Sequence, residues 1–341
     1  MGMSLPLSPP LTPALALSRK ELPVGEEYAY EIKLDGFRCI AFVDGRPSSG
    51  DGGGERAGSE LEAVGDCMYL QSRGSKPLHR YFPELVLPAG RYVLDGEIVI
   101  RDEEGREQFD LLQQRIHPAA SRIELLAAEI PATYVVFDLL ALEEGSLLEL
   151  PFAERRAALE RLLSEPGFAD APVELMSCTT DVACAETWLS EAEGAIAKLR
   201  SAPYEPGKRA GMFKVKRVRT IDAVVAGWRP GKEPETVGAL ILALYDGPEL
   251  RVVGHCSGLS AAEKRRLVSF LAPYETGERG SADPSRWSAG RNLEWVALRP
   301  ELVVEIDFDH VSGGRIRHGA KLRRWREDKL PRECTLSQLL S

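Results

Sequence analysis

The stretch from Tyr28 to Val43 constrains this chain more than any other. Tyr28 to Ile32 and Cys39 to Val43 both have the apolar composition of strands. Between them lies Lys33-Leu34-Asp35-Gly36-Phe37-Arg38. An Asp-Gly pair between two strand-like runs predicts a tight turn, hence a β-hairpin with Lys33 at its mouth. A lysine there is an ordinary surface charge, or a nucleophile whose amine is kept partly neutral by nearby cations or by desolvation. The stretch by itself favours the ordinary charge, since Asp-Gly turns beside lysine are common.

Further along, Tyr69-Leu70-Gln71-Ser72-Arg73-Gly74 resumes strand and turn. Tyr92 to Ile100 reads as a strand interrupted at Asp95-Gly96. Asp110–Gln114 and Ala119–Glu129 read as helices, and Ala132–Leu140 as a buried strand. Pro151–Leu163 has apolar residues near helical spacing, and Asp181 is placed to cap a helix running to Ala192. Gly194–Leu199 is a strand, and Met212–Val218 alternates basic and apolar residues. A boundary falls near Thr220. Beyond it, short strands at Asp222–Trp228, Val237–Tyr245, Leu250–His255 and Val303–Asp309, with a helix at Ala261–Leu271, predict a small β-barrel such as an oligonucleotide-binding (OB) fold. Asp44–Glu60 is rich in glycine and reads as a flexible insertion. It lacks the helix and Lys-Ser or Lys-Thr of a phosphate-binding loop.

With 341 residues, 44% of them hydrophobic, the chain has room for two domains and a substantial core. No apolar run approaches a membrane span, and the N-terminus lacks the basic start of a secretory signal, so the expected location is the cytoplasm. The six cysteines form no C-x-x-C pair, which argues against structural zinc and for reduced thiols. The net charge of −9 disfavours a protein that coats nucleic acid throughout. Basic residues nevertheless gather at Lys198–Arg219 and Arg315–Arg332, which fits a localised phosphate-binding face; the alternative is a pair of solvated, ion-paired surfaces.

Singly, Asp95-Gly96-Glu97, Phe137, Glu193-Gly194 and Lys214-x-Lys216 are unremarkable turn, core, cap and surface residues. Together and in order they resemble the motifs of the covalent nucleotidyltransferases, which comprise ATP-dependent DNA ligases, RNA ligases and capping enzymes. The matching strings are Lys33-Leu34-Asp35-Gly36-x-Arg38, Ser72-Arg73, Asp95-Gly96-Glu97, Phe137-Asp138, Glu193-Gly194-Ala195-Ile196-Ala197-Lys198, Lys214-Val215-Lys216 and Arg324-Trp325-Arg326-Glu327-Asp328-Lys329. Tyr81-Phe82-Pro83-Glu84-Leu85 and Tyr204-Glu205-Pro206-Gly207-Lys208-Arg209 narrow the resemblance to the small bacterial ATP-dependent DNA ligases of the ligase C type. It runs from Pro6 to Leu340.

The resemblance implies an α+β fold. A nucleotidyltransferase (adenylation) domain of antiparallel sheets and flanking helices would occupy residues 1–219, and an OB-fold barrel residues 220–341. It implies nick sealing in three steps: AMP is attached to Lys33, passed to the 5′-phosphate, and displaced by the 3′-hydroxyl. Lys214 and Lys216 would lower the lysine's proton affinity and bind the α-phosphate. Glu31 would lie beside the adenine, Arg38 near the ribose or 5′-phosphate, and Glu97 on a ribose hydroxyl. Phe137 would stack on the base, with Ile196 across from it. Arg73 would contact the DNA 5′-phosphate, and Arg209 is a further phosphate contact. Glu193 and Asp35 would place Mg²⁺ or Mn²⁺. Arg324, Arg326 and Lys329 would orient the pyrophosphate of ATP.

Implied partners are nicked duplex DNA and DNA-repair or end-joining proteins. The chain would be a monomer, with no membrane attachment, associated with the nucleoid when on DNA. No helical DNA-binding, zinc, polymerase or nuclease module is recognisable, so grip on DNA would come from the two domains or a partner. Gly74-Ser75 follows Ser72-Arg73 where the family pattern leads one to expect Asn-Gly. Competing readings are an RNA ligase, a GTP-using capping enzyme, or a catalytically inactive end-joining scaffold. The intact Lys33, Glu97, Glu193, Lys214 and Lys216 argue against the last.

Overall fold

The computed structural model describes residues 5–45, 68–281, 294–317 and 319–339. The chain divides into two compact units, Met1–Arg217 and Val218–Ser341. The glycine-rich insertion read at Asp44–Glu60 falls almost wholly outside the described residues.

The first unit holds two sheets. Its strands are β1 (Leu17–Ser18), β2 (Tyr28–Ile32), β3 (Phe37–Asp44), β4 (Met68–Ser72), β5 (Arg91–Val99), β6 (Thr133–Leu142), β7 (Gly145–Ser146), β8 (Val173–Leu175), β9 (Cys178–Thr179), β10 (Gly194–Leu199) and β11 (Met212–Lys216). One sheet runs β1-β11-β10-β2-β9 and the other β4-β3-β5-β6-β7, with β8 pairing β6.

The expected hairpin at Lys33 is therefore not formed. β2 and β3 belong to different sheets, and Lys33–Gly36 is the crossing between them. The glycine serves close approach rather than a turn. A Cβ on Gly36 would lie 2.3 Å from the Ile98 carbonyl oxygen and 2.7 Å from Cγ of Glu97. The break expected at Asp95-Gly96 is absent too, since β5 runs unbroken from Arg91 to Val99. A register shift against β6 falls between Asp95 and Gly96. There the Tyr134 ring passes so near that a Cβ on Gly96 would meet it at 2.7 Å. The Tyr134 hydroxyl donates to the carbonyls of Cys39 and Leu94.

Period-two alternation decides which face each strand residue covers. Cys39, Ala41 and Val43 join a core with Leu94, Val136, Leu159 and Phe82. Ile40 and Phe42 face the other way, against Leu5, Ala14, Val93 and Tyr204. Both faces of β3 are buried from Cys39 to Val43, which is why that run is continuously apolar. The helix Phe152–Leu163 packs on β6 through Phe152, Ala158, Leu159 and Leu162. The helix Val182–Glu191 is capped by Asp181, whose carboxylate accepts from Ala183 N at 2.9 Å, and packs on β10.

The second unit is a barrel. Its strands are β12 (Arg219–Pro230), β13 (Val237–Asp246), β14 (Glu249–Gly258), β15 (Glu275–Ser281), β16 (Glu294–Leu298), β17 (Val303–Phe308), β18 (Val311–Ser312), β19 (Arg315–Ile316) and β20 (Ala320–Trp325). The order β13-β14-β20-β17-β12 closes on itself through β12–β13, leaving β16 and β15 beyond β12. Five strands, a parallel β14–β20 pair and a helix at Ala261–Leu271 between the third and fourth barrel strands make this an OB-fold barrel. Ser260 and Glu263 form a capping box on that helix. Sequence reading missed β20, where charged residues interrupt the apolar pattern.

The described cysteines are free thiols. No helix among the described residues is long and apolar enough to cross a membrane.

Gly96→Ala should lower stability by about 1–3 kcal/mol, because the added methyl has no room. Chemical denaturation of the full chain checks this; an unchanged midpoint would refute the steric account.

Candidate active site

A cleft of about 560 Å³ opens in the first unit, lined by residues of both sheets. The register explains its composition. Across the first sheet, Glu31 pairs with Ile196 and Ile196 with Lys214. Directly opposed residues share a face, so these three side chains form one row. Lys33 and Lys198, each two residues further along its strand direction, extend that face. Tyr30, Ala197 and Phe213 face the opposite way, into the core that carries Ala185 and Trp188. In the second sheet Arg38 is opposed to Glu97, with Asp95 two residues back on the same face.

The crossing that carries Lys33 is held by three backbone donors. Lys33 N donates to Gly194 O at 3.0 Å. Asp35 N donates to Glu107 Oε2 at 2.8 Å, and Gly36 N to Glu97 Oε1 at 3.2 Å. The nucleophile candidate is thus fixed to β10 on one side and to two carboxylates on the other. Burial pushes the Glu97 carboxyl up to about 7, against the opposing pull of Arg38 and Lys33.

Lys214 sits among cations. Burial lowers the proton affinity of its amine, and repulsion from Lys216, Arg73, Lys33 and Arg209 lowers it further. Arg73, Lys33, Arg209 and Lys214 all line the cleft, a concentration of positive charge suited to a polyphosphate.

At the apolar end, Glu31 is 2% exposed. Its Oε2 lies 2.8 Å from Lys198 Nζ and its Oε1 is 3.7 Å from Arg156. Oε1 has no hydrogen-bond partner. Burial raises the carboxyl's proton affinity, and Lys198 opposes the shift. Phe137 also lines the cleft, with the Arg38 guanidinium 4.4 Å and the Lys198 amine 4.6 Å from its ring centroid. Arg38 is itself clamped by fully buried Asp95 through two contacts of 2.6 Å. Removing one member of such a pair strands a buried charge, at a cost of about 3–5 kcal/mol.

Of the residues read from sequence, Glu31, Lys33, Asp35, Arg38, Arg73, Glu97, Phe137, Ile196, Arg209 and Lys214 all line this one cleft. Lys216 shares the Lys214 face of β11 but lies beyond the lining, as does Glu193, whose carbonyl accepts from Arg217 N. Lys198 is no part of a surface stripe: it is buried against Glu31. Arg324, Arg326 and Lys329 belong to the second unit, at and after the end of β20, and are not helical. Arg324 pairs with Glu305, Arg326 with Asp222 and Asp328, and Lys329 with Asp222.

Sequence reasoning missed the parts played by Asp95, Lys198 and Tyr204, all inside strings it had singled out, and Glu107, which no pattern marked. Among the described residues no three His, Cys, Asp or Glu side chains converge on one point.

The chain is similar to known proteins along nearly its whole length. Residues 52–216 match the model of the ATP dependent DNA ligase domain, and residues 233–329 that of the ATP dependent DNA ligase C terminal region. DNA ligase C of Mycobacterium tuberculosis is 42% identical, over 99% of this chain and 96% of the relative. DNA ligase C2 of Mycolicibacterium smegmatis is 41% identical, with the same coverage. A solved structure from a study of Lig E DNA ligases shares the fold at 17% identity, covering 92% of this chain and 99% of that one with a TM-score of 0.53. The chain therefore belongs to the ATP-dependent DNA ligases, and among them to the bacterial ligase C type.

Proposed function

We propose that Lys33 carries the AMP in this ATP-dependent DNA ligase and that the cleft around it is the site of self-adenylation. The single observation that carries this is the convergence on Lys33 of a cationic wall and a buried, apolar-lined base pocket. The neutral Nζ of Lys33 attacks the α-phosphorus of ATP, a phosphoramidate bond forms, and pyrophosphate leaves. Lys214, with Lys216 beside it, accepts the charge that develops on the α-phosphate oxygens. A cation whose own proton affinity is lowered is also suited to act on that phosphate by giving up a proton. The AMP then passes to the 5′-phosphate of a nicked duplex, and the 3′-hydroxyl displaces it. Arg73 and Arg209 meet the phosphates.

Glu97 takes a ribose hydroxyl with the carboxylate oxygen not held by Gly36. Phe137 and Ile196 hold the base. Oε1 of Glu31 accepts no hydrogen bond and has only the 3.7 Å ion pair with Arg156, which suits the exocyclic amine of adenine, a donor where the corresponding position of guanine accepts; this favours ATP over GTP. Arg324, Arg326 and Lys329 are the pyrophosphate-orienting residues of the OB-fold domain, with the functional boundary at 219/220. Their acidic partners would exchange for pyrophosphate oxygens.

Asp35 and Glu193 are the residues that would hold Mg²⁺ or Mn²⁺. Asp35 lines the cleft and Glu193 adjoins β10 beyond it, and carboxylates suit an ion that keeps its waters and takes phosphate oxygens. When bound, such an ion supplies charge neutralisation at the triphosphate.

Incubation with ATP and Mg²⁺ should add one AMP to the intact mass, and Lys33→Ala should abolish the adduct. A wild-type chain that forms none would refute the assignment. Sealing of a nicked duplex should weaken about 10³-fold or more between roughly 50 and 200 mM salt if the basic residues face phosphates. A flat response would mean they are solvated ion pairs.

Glu97 generates a further expectation. Its folded-state pKa lies above the ordinary carboxylate value, so the folded chain holds the proton more tightly. Its contribution to stability is therefore complete below the ordinary range and is lost as pH rises to about 7. The stability of Glu97→Gln relative to wild type should accordingly rise between those limits, as read from denaturation midpoints; a pH-independent difference would contradict the burial of this charge.

A further inference from the structure

One wall of the cleft comes from neither sheet. Pro13, Ala14, Leu15 and Ala16 line it, although they precede every strand of the fold. The segment is tied down at several points. Leu11 exchanges two hydrogen bonds with the Gln71 side chain, at 3.0 and 2.6 Å. Leu15 N donates to Lys208 O at 2.8 Å. Beyond it, β1 pairs in parallel with β11, with Ser18 opposite Lys214. Ala14 N donates to the hydroxyl of Tyr204 at 3.0 Å.

That hydroxyl does two things. While accepting from Ala14, it donates to Asp95 Oδ2 at 2.5 Å. Asp95 in turn grips both Nε and Nη2 of Arg38, whose guanidinium lies over Phe137. Burial and the neighbouring Asp95 charge raise the phenol's proton affinity well above the ordinary tyrosine range, so it remains a donor. Tyr204 is 4% exposed, and its ring packs with Ala14, Leu5, Ile40 and Phe42. One oxygen thus joins the N-terminal segment to the clamp that fixes Arg38 beside the base-binding ring. Phenylalanine would fill the same space and make neither bond.

We infer that residues 11–16 form a strap across the ATP cleft, and that Tyr204 is the positioning residue coupling this strap to the Asp95–Arg38 clamp beside Phe137. The inference rests on the adenylation reading of the cleft. On that reading the strap and the clamp act on the nucleoside, through Arg38 beside Phe137, and Lys214 acts on the α-phosphate. Loosening them weakens ATP binding and leaves the transfer step intact. A phenol that only filled the core would affect folding stability without selecting KM.

The test uses the full chain with Tyr204→Phe and, separately, Gln71→Leu, which releases the strap at Leu11 and leaves every hydrogen bond of the Tyr204–Asp95–Arg38 chain in place. Initial rates of AMP-adduct formation give KM for ATP and kcat. Equilibrium dialysis of ATP in a Lys33→Ala background gives Kd without any chemistry. Tyr204→Phe should raise KM and Kd about tenfold, the scale expected for losing a hydrogen bond to a charged group, with kcat nearly unchanged. Gln71→Leu should move KM and Kd the same way. Unchanged KM and Kd in Tyr204→Phe, with only a lower melting temperature, would overturn the inference. A rise in Tyr204→Phe alone would overturn the coupling to the strap. Should wild type bind ATP yet form no adduct, the nucleophile assignment fails, while the dialysis values still decide this inference.

Discussion

Everything in the candidate site depends on how four residues pass from one sheet to another. The chain leaves the first sheet at Ile32 and enters the second at Phe37, so Lys33–Gly36 has no ladder of its own. Backbone groups in a partly buried crossing must be satisfied elsewhere. Gly194 takes the amide of Lys33, Glu107 that of Asp35 and Glu97 that of Gly36. Three segments remote in sequence therefore fix a single lysine. Gly36 permits this because any side chain would strike β5.

The two sheets supply different chemistry because their cleft-facing rows differ. The first contributes Glu31, Lys33, Lys198 and Lys214, mostly cationic. The second contributes Arg38, Glu97 and Phe137 around a fully buried aspartate. Charges this deep survive only in pairs. Arg38 has Asp95, and Glu31 has Lys198. Glu97 is less compensated, and burial raises its proton affinity accordingly. Glu31 Oε1 and Arg156 Nη1 face each other at 3.7 Å without a hydrogen bond, the kind of deficit that a bound ligand or water removes.

The barrel solves a separate problem. Closing β12 onto β13 removes the unpaired edges that five short strands would otherwise present. It also carries the terminal basic run into an acidic setting, where Asp222 and Glu305 hold Arg324, Arg326 and Lys329. A run of basic residues read from sequence as phosphate-facing is, in the folded unit, a set of ion pairs.

The sequence by itself determined the strands and helices with clear periodicity, the OB-fold half, and many of the residues that line the cleft, among them Glu31, Lys33, Glu97, Phe137 and Lys214. Local composition fixes these, because apolar alternation dictates which face is buried and motif order narrows the chemistry. It could not show that Asp35-Gly36 crosses between sheets. A glycine kept for close approach to a distant strand looks the same in one dimension as a glycine kept for a turn. Nor could it show that Asp95-Gly96 lies inside a continuous strand, where a bulge and the Tyr134 ring set the requirement. Glu107, Lys198 and Tyr204 became parts of the site only through tertiary structure. Their partners lie 72, 167 and 109 residues away along the chain, and the need for each contact arises only when buried charges and amides have to be satisfied in three dimensions.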